Sequence, residues 1–166
     1  MKVSELGEFG LIDLLAKMVG TSPDSQLLIG IGDDAAAWRG DASTQLATVD
    51  SFIQGVHFSL ATASWSELGW KAMAASLSDI AAMGGVPTYA LVSLALPDYT
   101  EVEDVTALYT GMIELAQQSG VAIVGGDTSN APVVAIDITV LGKTKNRDEH
   151  ILTRSAAKPG EQTAVT

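Results

Sequence analysis

Single aspartates stand among apolar residues at several separate places along the chain. Asp33 and Asp34 follow an apolar segment and a Gly-x-Gly turn, and Asp50 ends a second apolar segment. Asp79 lies among apolar residues of a predicted helix, and Asp127 follows an apolar segment and two glycines. A solvated acidic face would instead carry many acids spaced around a polar helix surface. These aspartates are therefore candidates for chemistry.

Each aspartate alone also fits a turn former or a helix N-cap, since Asp is common at both. Taken together, their positions favour convergence on one site. Two carboxylates about 4 Å apart repel by roughly 4 kcal/mol at an effective dielectric near 20, so a cluster of them needs bound cations. Oxygen ligands favour Mg²⁺, with Mn²⁺ or Ca²⁺ next. Mg²⁺ held by few carboxylates and completed by water and phosphate is the usual arrangement for phosphoryl transfer.

The composition narrows the class of protein. The 166 residues contain 20 acidic and 9 basic side chains, a net charge of −11, and 47% of them are hydrophobic. This excludes intrinsic disorder, and it argues against a binder of nucleic acid or of anionic membranes, whose surface is basic. The absence of cysteine excludes disulfides and thiolate chemistry. A phosphate-containing partner would therefore need a divalent cation to supply positive charge.

No targeting or membrane segment is expected. The first five residues lack an apolar signal core, which predicts a cytoplasmic protein. The uncharged run from Ile80 to Pro97 is long enough to test as a membrane span. It is interrupted by Gly84, Gly85 and Pro87, so a helix end, a turn and a buried strand fit it better.

The hydrophobic pattern predicts a mixed sheet with helices, in the order α-β-β-α-β-α-β-β. Helical spacing covers residues 8–19, and capping boxes at Ser64/Glu67 and Thr100/Glu103 predict the starts of two more helices. Predicted strands cover residues 27–29, 46–50, 88–96, 121–124 and 134–140. The last of these alternates apolar and polar residues, so one face of it should be buried.

Three glycine-rich segments are candidates for phosphate binding. Gly30-x-Gly32 resembles a dinucleotide fingerprint, but two aspartates would face the pyrophosphate and the helix that should follow is too short. Gly142-Lys143-Thr144 resembles the end of a P-loop, but its first glycine is missing. The segment 125–128, Gly-Gly-Asp-Thr, predicts a turn that approaches phosphate or metal closely. Arg154 and Lys158 are candidates for phosphate contacts or are solvated surface bases.

Several segments in order resemble a known family. They are Gly30 to Ala35 (GIGDDA), Thr48 to Phe58 (TVDSFIQGVHF), Lys71-Ala72, Ser76 to Gly85 (SLSDIAAMGG), Gly125 to Thr128 (GGDT) and Leu152 to Glu161 (LTRSAAKPGE). Together they are similar to bacterial thiamine-monophosphate kinases, a branch of the aminoimidazole-ribotide-synthetase-like superfamily. The resemblance covers nearly the whole chain, and its specificity comes from the combination.

The resemblance implies ATP-dependent phosphorylation of thiamine phosphate to thiamine diphosphate, assisted by several Mg²⁺ ions and without a protein nucleophile. His57 matches a position that touches the thiamine phosphate. The positions that match metal ligands are Asp34, Thr48, Asp50, Asp79 and Asp127. The positions that match ATP contacts are Tyr109, Gly126 and Arg154. Val49 departs from the family pattern, which often has a hydroxyl there, so only a backbone role is left at that position.

The fold that the resemblance implies is α/β, a mixed sheet with helices on one face, which pairs with its twin's sheet in a homodimer. Residues 1–150 are expected to form an ATP- and Mg²⁺-binding N-terminal domain. Residues 151–166 are expected to form a linker and the opening of a further strand, with the family's second domain absent. Partners expected are thiamine phosphate and ATP, without nucleic acid or membrane.

Two alternatives stay open. One is another member of the superfamily: a selenide kinase, a hydrogenase-maturation carbamoyl dehydratase or a purine-pathway synthetase. The first two depend on cysteine in their usual forms, and this chain has none. The other is a non-catalytic module that binds nucleotide and metal, or only dimerises, without turnover.

Overall fold

The computed structural model describes residues 1–32, 35–145, 151–155 and 158–162. Asp33 and Asp34, most of the predicted polar loop at 143–149 and the predicted strand opening at 163–166 lie outside the described residues. The elements in chain order are α1 Val3–Leu6, α2 Glu8–Val19, β1 Leu27–Ile29, β2 Ala37–Trp38, β3 Gln45–Ile53, α3 Trp65–Ala82, β4 Val86–Leu96, α4 Val102–Gln118, β5 Ala122–Asn130 and β6 Ala135–Lys143.

The main sheet has the strand order β3-β6-β4-β5. β4 and β5 are parallel and are joined through α4, while β6 runs antiparallel to both of its neighbours. Alternate residues of β4 and β6 are buried on the face that the helices cover, including Val92, Leu94, Ile136 and Ile138. The other face is open, and Val49 on it is 61% exposed. The predicted α/β fold, a mixed sheet with helices on one face, is confirmed.

Two glycines allow α3 and α4 to pack closely. A methyl group built at Gly69 would overlap the carbonyl oxygen of Leu108 and stand 2.8 Å from its carbonyl carbon. One built at Gly111 would stand 2.9 Å from the backbone of Ser66 and of Trp70. Because the obstacles are backbone atoms, only glycine fits at this crossing. The close packing fixes where α3 lies above the sheet.

A small two-stranded sheet, β1 with β2, is attached to β4 of the main sheet through Tyr89. The Tyr89 hydroxyl of β4 donates a hydrogen bond to Asp24 at 2.5 Å, just before β1. The Tyr89 ring also contacts the Trp38 ring of β2, with centroids 5.1 Å apart. Tyr89 therefore fastens both ends of the segment that carries Asp33 and Asp34 in the sequence.

Two of the predicted strand boundaries are wrong. The strand predicted to end at Asp50 continues to Ile53, because β6 keeps pairing with it as far as Ala135 and Phe52 is buried on the helix side. Asp50 is therefore inside the strand. The turn predicted at 125–128 is also strand, since β5 runs through both glycines beside β4.

One of the two predicted capping boxes is confirmed. Ser64 accepts a hydrogen bond from the Glu67 amide and donates both its own amide and its hydroxyl to the Glu67 carboxylate. The box predicted at Thr100 is wrong, because α4 begins after Glu101 without a side-chain cap. The N-terminal segment takes up the backbone there instead, with the Val3 amide donating to the Thr100 carbonyl at 2.8 Å.

No helix in the described ranges is long and apolar enough to cross a membrane. The uncharged run of residues 80–97 folds as the end of α3, a turn and β4, as its two glycines and its proline predict.

Candidate functional site

The polar contact between Thr48 and Asp79 joins the sheet to the helix layer. The Thr48 hydroxyl, on the edge strand β3, donates a hydrogen bond to the Asp79 carboxylate of α3 at 2.7 Å. Thr48 is half-buried and Asp79 is exposed. Two residues that the resemblance assigned to a metal site, 31 positions apart in the chain, are thus brought together by folding.

Asp50 lies beside this pair. Successive residues of a strand point to opposite faces, so Asp50 shares with Thr48 the face that looks toward α3, about 7 Å further along β3. The three residues offer carboxylate and hydroxyl oxygens, which are hard ligands suited to Mg²⁺. Among the described residues no group of three acidic or histidine side chains is close enough to hold a metal together. The arrangement is therefore a carboxylate pair with a hydroxyl, and Asp34 lies outside the described residues.

Asp79 lies in a row of residues that runs along the surface of α3 toward the N-terminal end of the helix. Glu67, Lys71, Ala75 and Asp79 follow at intervals of four residues, which places them along one line of the helix surface. We call these four residues the α3 ridge. Lys71 stands about 12 Å from Asp79 along the helix, given a rise of about 1.5 Å per residue.

His57 lines a cavity together with Glu67 and Lys71 of the α3 ridge, near the N-terminal end of α3. His57 lies in the turn after β3, where the Ile53 amide donates to its Nδ1 atom at 3.1 Å. Because Nδ1 accepts, the neutral ring carries its proton on Nε2. An open cavity of about 480 Å³ is lined by His57, Phe58, Glu67 and Lys71, together with Ser59, Thr62, Ala63 and Leu68.

Arg154 lies at the opposite end of α3. The Leu152 amide donates to the Met83 carbonyl at 3.2 Å, so the segment 151–155 is attached where α3 ends. Arg154 is exposed, two residues after that hydrogen bond. Lys158 is also exposed, and nothing described ties it to α3.

The site residues therefore follow one another along α3 and β3, which run in opposite directions. The His57 and Lys71 cavity is at one end, the Asp50 and Asp79 carboxylates are in the middle, and the segment of Arg154 is at the other end. The two carboxylates thus lie between the cavity that contains Lys71 and the segment that carries Arg154. Such an order suits two anionic groups that meet over bound cations.

Asp127 and Gly126 lie elsewhere on the sheet. Backbone register places Asp127 beside Ser93, in the row that continues to Asp137 and Ser51. Asp127 is on β5, the edge strand opposite β3, and three strand spacings, roughly 14 Å, separate the two strands. The structure therefore does not bring Asp127 to the Thr48–Asp79 contact, and its role as a metal ligand stays a prediction.

Gly126 permits a close approach of backbone. A methyl group built there would overlap the Val92 carbonyl oxygen and stand 2.7 Å from its carbon. The glycine is therefore required by strand packing, whichever ligand the exposed Gly-Gly-Asp segment contacts. Its predicted ATP contact stays a prediction.

Tyr109 is buried within the α4 side of the core. The residue is 5% exposed, and desolvation raises the pKa of its hydroxyl. It packs as the apolar pattern of α4 predicts, and its surface is not open to a nucleotide in this arrangement. The ATP contact suggested by the resemblance stays a prediction.

Lys71 is the site residue that the sequence argument did not single out, although it lay within a family segment. The signal was its spacing: it follows the capping residue Glu67 by four positions and precedes Asp79 by eight.

A family model described as AIR synthase related protein, N-terminal domain, matches residues 32–144. The chain belongs to this family. Within the AIR synthase related family, the motif-based resemblance to thiamine-monophosphate kinases is confirmed by individual relatives.

Several curated relatives carry that name. The thiamine-monophosphate kinase of Bacillus subtilis is 39% identical over 163 residues, which cover 97% of this chain and 49% of the relative. That of Rhodopirellula baltica is 44% identical over 151 residues, which cover 85% and 46%. A solved structure described as AaThiL complexed with AMPPCP and TMP matches with a TM-score of 0.61 and 36% identity, over 88% of this chain and 45% of that one. The chain thus spans about half the length of the curated relatives it matches.

Proposed function

We propose that this AIR synthase related chain is the ATP- and Mg²⁺-binding part of an enzyme that phosphorylates thiamine phosphate to thiamine diphosphate. The observation that carries the proposal is the Thr48–Asp79 contact, which gathers two motif residues of the thiamine-monophosphate kinase type onto one face of β3 and α3. The relatives of that name and the neighbour solved with AMPPCP and TMP support the choice of ATP and thiamine phosphate.

The donor set fits Mg²⁺. Asp50, Asp79 and the Thr48 hydroxyl present only oxygen, and Mg²⁺ is commonly held by one or two carboxylates with water and phosphate completing its shell. Mg²⁺ bound there would offset the negative charge of both phosphate groups and stabilise the charge that develops during transfer. Asp34 and Asp127 belong to the expected set by their sequence positions and by the resemblance.

The residues of the chain have positioning roles in this scheme. The acceptor is a phosphate monoester, which carries about −1.5 to −2 charges near neutral pH and needs no strong general base. His57, with its proton held on Nε2, donates toward the acceptor, and Arg154 at the far end of α3 contacts the nucleotide phosphates. The carboxylates between them set the separation of the two anions, so the barrier is lowered by alignment and charge compensation.

We further propose that the open face of the sheet pairs with a second copy of this chain in a cytoplasmic homodimer. Val49 and Ile53 are exposed there at 61% and 37%, beside the half-buried Leu91 and Thr139. Burying such a face is the usual way a one-sided sheet completes its packing.

The experiment is an assay of ADP release and of thiamine diphosphate formation with Mg²⁺ and ATP. Thiamine phosphate, thiamine and an aminoimidazole-ribotide precursor are compared as substrates, with calorimetric titration of an ATP analogue beside them. If thiamine phosphate is the only one of the three compounds that is turned over, the proposal is supported. Turnover only of the ribotide precursor would assign the chain to another branch of the superfamily. Binding of the analogue without any turnover supports the nucleotide-binding module.

A further inference from the structure

The cavity beside His57 contains a lysine whose charge is not taken up by the neighbouring acid. Glu67 precedes Lys71 by four residues on α3, the spacing at which a Glu–Lys ion pair is favourable. Within the described part of the chain, Lys71 nevertheless has no carboxylate within 4.0 Å. Lys71 is exposed and lines the cavity, so its ammonium is available there to another anion.

The reason lies in the helix cap. The Glu67 carboxylate accepts the Ser64 amide at 2.9 Å and the Ser64 hydroxyl at 2.7 Å. These hydrogen bonds lower the pKa of Glu67 and hold its charge at the helix start, away from Lys71. The capping box thus fixes the acid that also lines the cavity and leaves the lysine unpaired.

A second donor in the same cavity has a defined proton. The Ile53 amide occupies Nδ1 of His57, so Nε2 of the neutral ring carries the hydrogen. An exposed ammonium and an N–H group that line one cavity form a pair of donors for an oxyanion. In a chain of net charge −11, an unpaired base in a cavity is a specific feature rather than part of a basic surface.

We propose that Lys71 binds the phosphate group of the acceptor in this cavity, together with His57, and thereby selects a phosphate monoester over the unphosphorylated alcohol. The identity of the acceptor rests on the proposed function, whereas the phosphate chemistry rests on the cavity. Charge-assisted hydrogen bonds of this kind change affinity by about tenfold at an open site.

The test is an NMR titration of the chain with methyl phosphate at constant ionic strength, following the ring signals of His57 and the backbone signals of α3. Sodium chloride at matched ionic strength is the reference anion. Lys71→Gln should weaken methyl phosphate binding about tenfold, and Lys71→Arg should stay within about threefold of the parent. Lys17→Gln, which removes an exposed lysine from α2, is the matched control and should bind as the parent does.

A second titration compares thiamine phosphate with thiamine. Lys71→Gln should reduce the preference for the phosphorylated compound by about the same factor. The proposal is overturned if Lys71→Gln and Lys17→Gln bind methyl phosphate equally well. It is also overturned if methyl phosphate shifts other signals but not the ring signals of His57. Methyl phosphate binding requires neither ATP nor Mg²⁺. A chain that fails the turnover assay can therefore still pass or fail this test independently.

Discussion

Replacing Gly69 by alanine tests the packing that holds α3, and with it the α3 ridge, above β3. The added methyl group would overlap the Leu108 carbonyl oxygen and lie 2.8 Å from its carbon, where ordinary contact begins near 3.4 Å. The two helices would have to separate by more than 0.6 Å, because the oxygen lies closer still than the carbon and neither obstacle is a side chain that can turn away.

The size of the effect follows from that gap. Widening a packed contact by 0.5–1 Å forfeits a quarter to a half of its dispersion energy. The loss extends over the buried residues of both helices, among them Leu68, Met73 and Met112. Alanine gains about 1 kcal/mol of helix propensity over glycine. We expect a net destabilisation of roughly 3 kcal/mol, which lowers Tm by about 10 °C in a domain of this size.

Thermal and urea unfolding followed by circular dichroism measure this change. Gly10→Ala in α2 is the matched control, because its methyl group would meet only the flexible Leu6 side chain at 2.9 Å. That variant should equal the parent or exceed it by up to about 1 kcal/mol. A Gly69→Ala protein that melts at or above the parent temperature would refute the close packing of α3 on α4.

Three further predictions concern the site, the anchoring of β1 and β2, and the open sheet face. Asp79→Asn should abolish Mg²⁺-dependent binding of an ATP analogue in calorimetry without changing the circular dichroism spectrum, whereas Asp13→Asn, an exposed helical aspartate, should leave binding intact. Tyr89→Phe should weaken a pH dependence: the pKa of Tyr89 is raised to about 12 by burial and by its bond to Asp24, so the parent loses stability as pH rises from 10 to 12 and the variant should lose less, with the remaining loss due to buried Tyr109. Val49→Glu should convert the proposed homodimer to a monomer in sedimentation, and an unchanged sedimentation coefficient for a dimeric parent would exclude pairing through this face.

The helices and the buried faces were predictable because their signals are local. Ser64 and Glu67 are three residues apart, so the capping box marks the start of α3 in the sequence itself. The alternation of residues 134–140 likewise identifies the buried face of β6, on which Ile136 and Ile138 are fully covered.

The wrong boundaries depend on long-range pairing. Two adjacent glycines usually indicate a turn, but those at 125 and 126 continue as strand because β4 lies alongside and supplies hydrogen bonds. Thr100 has the residue type of a cap, but the N-terminal segment, about a hundred residues earlier, occupies its backbone. No local pattern contains either partner.

The site was predictable in part for the same reason. The positions of Asp50 and Asp79 indicated oxygen ligands, the resemblance added Thr48, and folding brings Thr48 and Asp79 into contact. The sheet order was not predictable from those residues, and it puts Asp127 at the edge opposite β3. Lys71 is four residues from Glu67 in the sequence, but the cavity it shares with His57 is formed only by folding.

The position of the bound ion tests the account most directly. Mn²⁺ added to the chain with a non-hydrolysable ATP analogue broadens NMR signals in proportion to their closeness to the metal. We predict that the strongest broadening centres on Thr48, Asp50 and Asp79. Broadening centred on Asp127 and Ser93, or spread evenly over the acidic surface, would contradict a magnesium site between β3 and α3.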